Sequence, residues 1–266
     1  MSILGIDIGS STTKIIEYEN NRIENKTILR DGFSKEKLDK FVFENNISVE
    51  KIVFTGIGAS KYNKESFSVP VHFVDEFTAI AKGGLTLAQK EEALVASVGT
   101  GTAFIEVSKN EIKHLGGTGV GAGTLFNICK KILNIDSFDE IEKLAQIGNV
   151  EKIDLRIKDI TSEEIPTLPL DLTLSNFGKF EEDSQKEDIV IGLINMIFEV
   201  IGMMAVFITS KSDIKDVILI GNITVIPGVK YVLERIEKVQ NINFIVPENS
   251  EFAVVLGAIK HCENEE

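Results

Sequence analysis

Apolar and polar positions alternate in short blocks from the first residues. Apolar runs at 2–8, 12–19 and 22–29 predict three strands, the last two joined by a turn at Asn20 and Asn21. The stretch "SKEKLDKFVFEN" then changes period. Leu38, Phe41 and Val42 fall at helical spacing behind a cap at Ser34, so a helix is expected over 34–45. A strand "VEKIVFTGIG", a strand "VHFVDE" and a helix to about residue 90 follow.

After the charged "QKEE" the pattern restarts. "LVASVGTGTAFIEVSKNEIKHLGG" repeats the order of "LGIDIGSSTTKIIEYENNRIENKT": an apolar strand, Gly beside Ser or Thr, a second strand, an Asn turn and a third strand. The copies lie about 92 residues apart, which points to a duplicated unit. We therefore expect an N-terminal domain over 1–91 and a C-terminal domain over 92–266. The second copy carries a helical insertion over about 122–212. It ends in the strand "DVILIGNI", the helix "PGVKYVLERIEKV", the strand "NINFIVP" and the helix "EFAVVLGAIKHC". Two such units facing one another leave a cleft with a Gly-rich hairpin on each side.

Composition narrows the partners. With 41 acidic against 28 basic residues the net charge is −13, so no basic surplus exists to neutralise a nucleic-acid backbone. The apolar stretch over 189–209 contains Asn195 and Glu199. Such groups are costly at bilayer depth, so a buried core or subunit-interface helix is expected rather than a membrane span. Two cysteines, Cys129 and Cys262, make neither a disulfide framework nor a zinc site. With no basic leader before "SILGIDIG", the expected compartment is the cytoplasm.

The hairpins carry the chemistry. Glycine lets the backbone approach a phosphate chain, and hydroxyls add donors without bulk. "DIGSSTTK" offers Ser10, Ser11, Thr12 and Thr13, with Lys14 as a cation; "GTGT" offers Thr100 and Thr102. A third loop, "GGTGVGAGTLFNI", runs into a helix whose N-terminus is expected to face an anion. No G-x-x-x-x-G-K-[ST] occurs, so the nucleotide site is not of P-loop type. Asp7, at the end of the first strand, suits Mg²⁺, which takes one or two carboxylates and keeps several waters.

Taken together, "GIDIGSSTTK", "VDEFTA", "SVGTGTAF", "LGGTGVGAGTLF", "DLTLSNFGK", "VILIGN" and the late "LGA" resemble the superfamily of acetate and sugar kinases, heat-shock cognate chaperones and actin. Within it they are similar to the bacterial type II pantothenate kinases. The resemblance implies an α/β fold of duplicated RNase H-like, actin-like ATPase domains around a nucleotide cleft. It implies ATP- and Mg²⁺-dependent phosphorylation of the primary hydroxyl of pantothenate, the first step of coenzyme A biosynthesis. Glu76 then corresponds to the catalytic base, a role a carboxylate at a strand end can fill. Carried over residue by residue, the ATP site comprises Asp7, Ile8, Gly9, Ser10, Ser11, Thr12, Thr13 and Lys14, then Thr100 and Gly101. It continues with Gly121, Ala122, Gly123, Thr124 and Leu125, with Phe138 near the adenine and Gly221 and Asn222 on the adenosine side. Thr173 falls where the family contacts pantothenate, and the apolar helix implies a homodimer.

Two positions depart from the family pattern. His114, after Lys113, stands where the family has an arginine for the substrate carboxylate, and neutral imidazole lacks the bidentate fork. Ile245 or Val246 stands where it has a tyrosine. Two other readings share the fold. One is an ATPase activator of 2-hydroxyacyl-CoA dehydratases, which needs iron–sulfur cysteines at a subunit interface. The other is a non-enzymatic nucleotide- or coenzyme A-binding relative.

Overall fold

A computed structural model describes residues 2–109, 111–163 and 169–265. The first sheet uses β1 (Ser2–Ile8), β2 (Thr13–Glu19), β3 (Arg22–Leu29), β4 (Val49–Thr55) and β5 (Val71–Phe73) in the order β3-β2-β1-β4-β5. α1 (Lys35–Glu44) lies between β3 and β4, and α2 (Glu76–Ala88) follows β5. The second sheet uses β6 (Ala93–Val98), β7 (Thr102–Ser108) and β8 (Glu111–Thr118). The chain then forms α3 (Ala122–Ile128), a π-turn at Cys129–Leu133 and α4 (Phe138–Ile147). A two-stranded ribbon, β9 (Leu155–Arg156) with β10 (Thr173–Ser175), precedes α5 (Lys186–Thr209). Last come β11 (Asp216–Ile220), α6 (Val229–Glu237), β12 (Asn243–Ile245) and α7 (Ala253–Glu265), which gives the sheet order β12-β11-β6-β7-β8.

The two sheets have the same topology. In each, three strands form an antiparallel meander and two more add in parallel beside the first. The repeat read from the sequence is thus a structural duplication. Local chemistry explains its parts. Asn20 and Asn21 both have positive φ, as a two-residue hairpin turn requires. The Ser34 side chain accepts from the Lys37 N–H and starts α1, which buries Leu38 and Phe41.

α2 and α7 pack on one another between the sheets. α7 also lies on β1, β2 and β4, and α2 on β6, β7 and β11. Val53, Ile80, Val95, Val255 and Ile259 meet in this middle layer. α1 covers the far face of the first sheet, and α3 to α6 cover the far face of the second. The apolar helix is α5. Val190, Ile194, Ile197, Phe198, Ile201 and Ala205 are buried in the core of the second half. Its polar groups have partners there: Arg235 donates to Asn195 Oδ1 (2.7 Å) and to Glu199 Oε1 (3.2 Å). A buried ion pair with its own hydrogen bonds suits a helix that is apolar on nearly every side.

Candidate active site

Both hairpins lie at the same end of their sheets. Ser10 Oγ is 2.6 Å and Ser11 Oγ 2.9 Å from Thr100 Oγ1, so the hydroxyls of the two halves meet. The first loop is tight, with the Gly9 N–H donating to the Thr12 carbonyl (3.0 Å). Of the other residues expected at this site, Ile8, Thr13, Lys14 and Leu125 have buried side chains, so only backbone from Ile8, Thr13 and Leu125 is available to a ligand.

The third loop behaves differently from its expected role. The Ala122 N–H donates to the Gly99 carbonyl (2.8 Å) and the Gly123 N–H to the Thr100 carbonyl (3.0 Å). These first donors of α3 are stitched to the second hairpin instead of facing outward. The loop can approach so closely because it is glycine. A Cβ on Gly121 would lie 2.7 Å from the Gly101 carbonyl oxygen, and one on Gly123 2.8 Å from that of Thr100. Thr124 Oγ1 accepts from the Gly121 N–H (3.3 Å) and donates to the Gly119 carbonyl (3.1 Å). Gly121 to Thr124 therefore brace the hairpin that carries Thr100.

Asp7 is 6% exposed and pairs in register with Lys14 of β2, its Oδ2 3.8 Å from Nζ. Burial pushes its carboxyl above the usual range, and Lys14 offsets part of that. On its other side β4 ends at Thr55, opposite Asp7, and Gly56 turns with φ of +87°. A side chain there would strike Asp7, since a Cβ would sit 2.6 Å from Oδ1.

β5 stops at Phe73, short of the strand end expected to hold Glu76. The reason is local: Asp75 turns outward and accepts from the Thr78 N–H (3.0 Å), capping α2. Glu76 is thus the first residue of a helix. Its half-buried carboxylate accepts from the Ile57 N–H and lies within electrostatic reach of Asp7 and Lys14. Burial, and then the Asp7 charge, raise its pKa; the Ile57 N–H and Lys14 pull the other way. The helix position and the backbone donor were missed in the sequence. The "TGIG" after an apolar strand was the available signal.

His114 on β8 stacks on Phe77, with ring centroids 4.2 Å apart and planes at 13°. It therefore borders the residue next to Glu76. Phe138, expected near an adenine, stacks on Phe126 (4.9 Å), and the Arg30 guanidinium lies over its ring at 4.6 Å. Gly221 packs against the Val98 carbonyl and donates its N–H to Ser250 O (3.0 Å). Beside it Asn222 Oδ1 is buried without a hydrogen-bond donor. Thr173 is held elsewhere. Its hydroxyl meets Asn195 and Arg235, each at 3.5 Å, which anchors β10 to α5 and α6 rather than to the hairpins.

Among the described residues no group of three or more His, Cys, Asp or Glu could hold a metal. Cys129 and Cys262 are both buried, and burial pushes the Cys129 thiol up to about 11.

Solved structures share this architecture. The activator of the 2-hydroxyisocaproyl-CoA dehydratase from Clostridium difficile, with bound ADPNP, matches with a TM-score of 0.68 and 18% identity over 100% of this chain and 98% of its own. The ROK hexokinase from Thermus thermophilus matches with a TM-score of 0.55 and 13% identity over 99% and 100%. At these identities the likeness is one of fold. Sequence relatives go further. A type II pantothenate kinase of Staphylococcus epidermidis is 31% identical over 82% of this chain and 84% of its own length. One from Bacillus cereus is 26% identical over 97% and 98%. The Fumble family model matches residues 92–237, the half that carries Thr100, His114 and the glycine brace. A duplicated actin-like fold, hydroxyl-rich hairpins meeting across a cleft and these matches along the chain give one conclusion: the protein is a kinase of the Fumble, or type II pantothenate kinase, family.

Proposed function

We propose that the protein transfers the γ-phosphoryl group of ATP to the primary hydroxyl of pantothenate, forming 4'-phosphopantothenate for coenzyme A synthesis. The observation that carries this reading is Glu76: a half-buried carboxylate of raised pKa, facing Asp7 and Lys14 beside the meeting hairpins. Such a group takes a hydroxyl proton as the oxygen attacks. The Ile57 N–H orients it, and the Asp7 charge makes it a stronger base.

On the nucleotide side, Ser10, Ser11 and Thr100 exchange their mutual hydrogen bonds for bonds to phosphate oxygens. Asn222 Oδ1, buried and unpaired, accepts from a ribose hydroxyl or an adenine amino group. Adenine stacking on Phe138 requires Arg30 to yield its place over the ring. Asp7 would hold Mg²⁺. The donor set fits, because a hard cation that keeps its waters needs only one or two carboxylates beside the phosphates, and a cation there offsets the desolvation of Asp7. Bound there, the ion would neutralise phosphate charge.

On the acceptor side, the His114–Phe77 stack forms a wall beside the base. Residues 1–91 and 92–266 act as the two domains of the cleft, the chain works as a homodimer, and its compartment is the cytoplasm. ADP formation by the purified protein with Mg-ATP, with and without pantothenate, tests the reading. Pantothenate-dependent turnover is expected; bound ATP without it would assign the cleft a different acceptor.

A further inference from the structure

β3 ends at Leu29, which pairs with Thr13, so Arg30 follows at the end of the first sheet that carries the hydroxyl loop. Its guanidinium carbon lies over the Phe138 ring, 4.6 Å from the centroid. Phe138 opens α4 in the second half of the chain, so this contact ties one half to the other. Among the described residues the ring is the one partner of this guanidinium, which has neither a hydrogen bond nor a carboxylate. The adjacent Asp31 pairs with Lys37 instead (2.7 Å). On a chain with 41 acidic residues against 28 basic ones, an arginine held by a ring alone calls for an explanation.

Phe126 stacks on the same ring, with centroids 4.9 Å apart and planes at 9°. With Phe126 against it and Arg30 over it, Phe138 offers a base no free face. An adenine that stacks there must enter on the side Arg30 holds. The guanidinium then either swings away into water or lifts by the thickness of one ring and rests on the outer face of the base. Its chemistry favours the second course. A guanidinium is flat, weakly hydrated and stacks on aromatic faces, and the base presents such a face in the same direction. The backbone need not move. Lys37 Nζ donates to the carbonyls of Asp31 (3.3 Å) and Gly32 (2.9 Å) and fixes the loop, while the Arg30 side chain is exposed on a long, flexible stem.

We propose, on the adenine position assigned to Phe138 above, that Arg30 is a nucleotide-binding residue whose guanidinium clamps the outer face of the base against Phe138 and Phe126. The base is then held by a group from each half of the chain, and its arrival adds to the hydroxyl contacts that already join them. In the empty cleft the same guanidinium covers the ring in place of the base.

The test is calorimetric titration of ADP and, separately, of inorganic tripolyphosphate, each with Mg²⁺, into the full-length protein and two variants. Phe138→Leu keeps the bulk and removes the ring; it should weaken ADP about tenfold and leave tripolyphosphate unchanged. Arg30 is exposed, so Arg30→Ala spares the fold. It should weaken ADP by about two- to fivefold and again leave tripolyphosphate unchanged. Equal losses for the two ligands in Arg30→Ala would make the residue a phosphate contact and overturn the clamp. So would ADP binding that is unchanged or tighter, since the guanidinium would then only occupy an empty ring. ADP binding indifferent to Phe138→Leu would instead remove the adenine position itself, and the clamp with it.

Discussion

The first hairpin sets Asp7 across from Lys14; the second, in the same topology, sets Ser97 across from Ala103 at the equivalent place. One half therefore brings a buried charge pair to the cleft, and Glu76 stands beside it. The other brings Thr100, braced by backbone hydrogen bonds from Ala122 and Gly123. Duplication supplied two similar arms, and the titratable chemistry was confined to one of them. Grouping the carboxylates makes physical sense. The Asp7 charge raises the pKa of Glu76, which a base requires, and a second charged cluster across the cleft would repel the same phosphates.

The largest test of this asymmetry is Glu76→Gln. It should lower kcat by about 10²–10⁴-fold while leaving nucleotide affinity and the melting temperature unchanged; full turnover in this variant would remove the proton-transfer role. Next is a matched pair at the equivalent hairpin positions. Asp7→Asn should reduce kcat by about ten- to a hundredfold in steady-state assays with Mg-ATP, whereas Ser97→Ala should leave it within about twofold. Equal losses would mean that both arms carry the chemistry.

A pH profile gives a smaller effect of defined sign. Glu76 must be ionised to act, and its pKa is raised, so kcat should fall as pH drops through mildly acidic values, by up to about tenfold per unit. Stability should respond in the opposite sense through Asp7. With its folded pKa above 3.8, the folded state holds the proton more tightly than the unfolded one. This group's contribution then falls as pH rises from 3.8 through the raised value. Acid melting curves of wild type and Asp7→Asn would isolate it.

The smallest expected effect lies on the braced arm. Gly121→Ala forces a Cβ against the Gly101 carbonyl, which should cost about 1–3 kcal/mol of stability and raise KM for ATP more than it lowers kcat. A loss in kcat alone would show that the brace takes part in catalysis as well as in support.

Much of the fold was legible along the chain because its signals are local. Strand alternation, the Asn20–Asn21 turn, the Ser34 cap and the repeated hairpin each depend on neighbours a few residues away. The same holds for the hydroxyls of Ser10, Ser11 and Thr100, whose residue types suit a phosphate wherever the loops come to rest. Functions that depend on long-range pairing were not legible. "VHFVDE" reads as a strand through Glu76, yet Asp75 prefers to cap α2, and only the β4 loop then supplies the Ile57 N–H to the carboxylate. The glycine loop reads as a helix start open to an anion, yet its donors find the carbonyls of a hairpin some twenty residues earlier.

The sequence by itself determined the two sheets, the hydroxyl-rich hairpins and the placement of a lone carboxylate at the end of the first strand. Only the tertiary structure decided which donors remain free. It closed the α3 N-terminus onto the second hairpin, held Thr173 against Arg235, and left Nε and NH2 of Arg156 buried without a hydrogen-bond partner. The physical reason is that a polar group's partner is set by whatever folds beside it. Residue type gives a group its capacity to bond, and packing settles whether that capacity is used within the chain or left for a ligand.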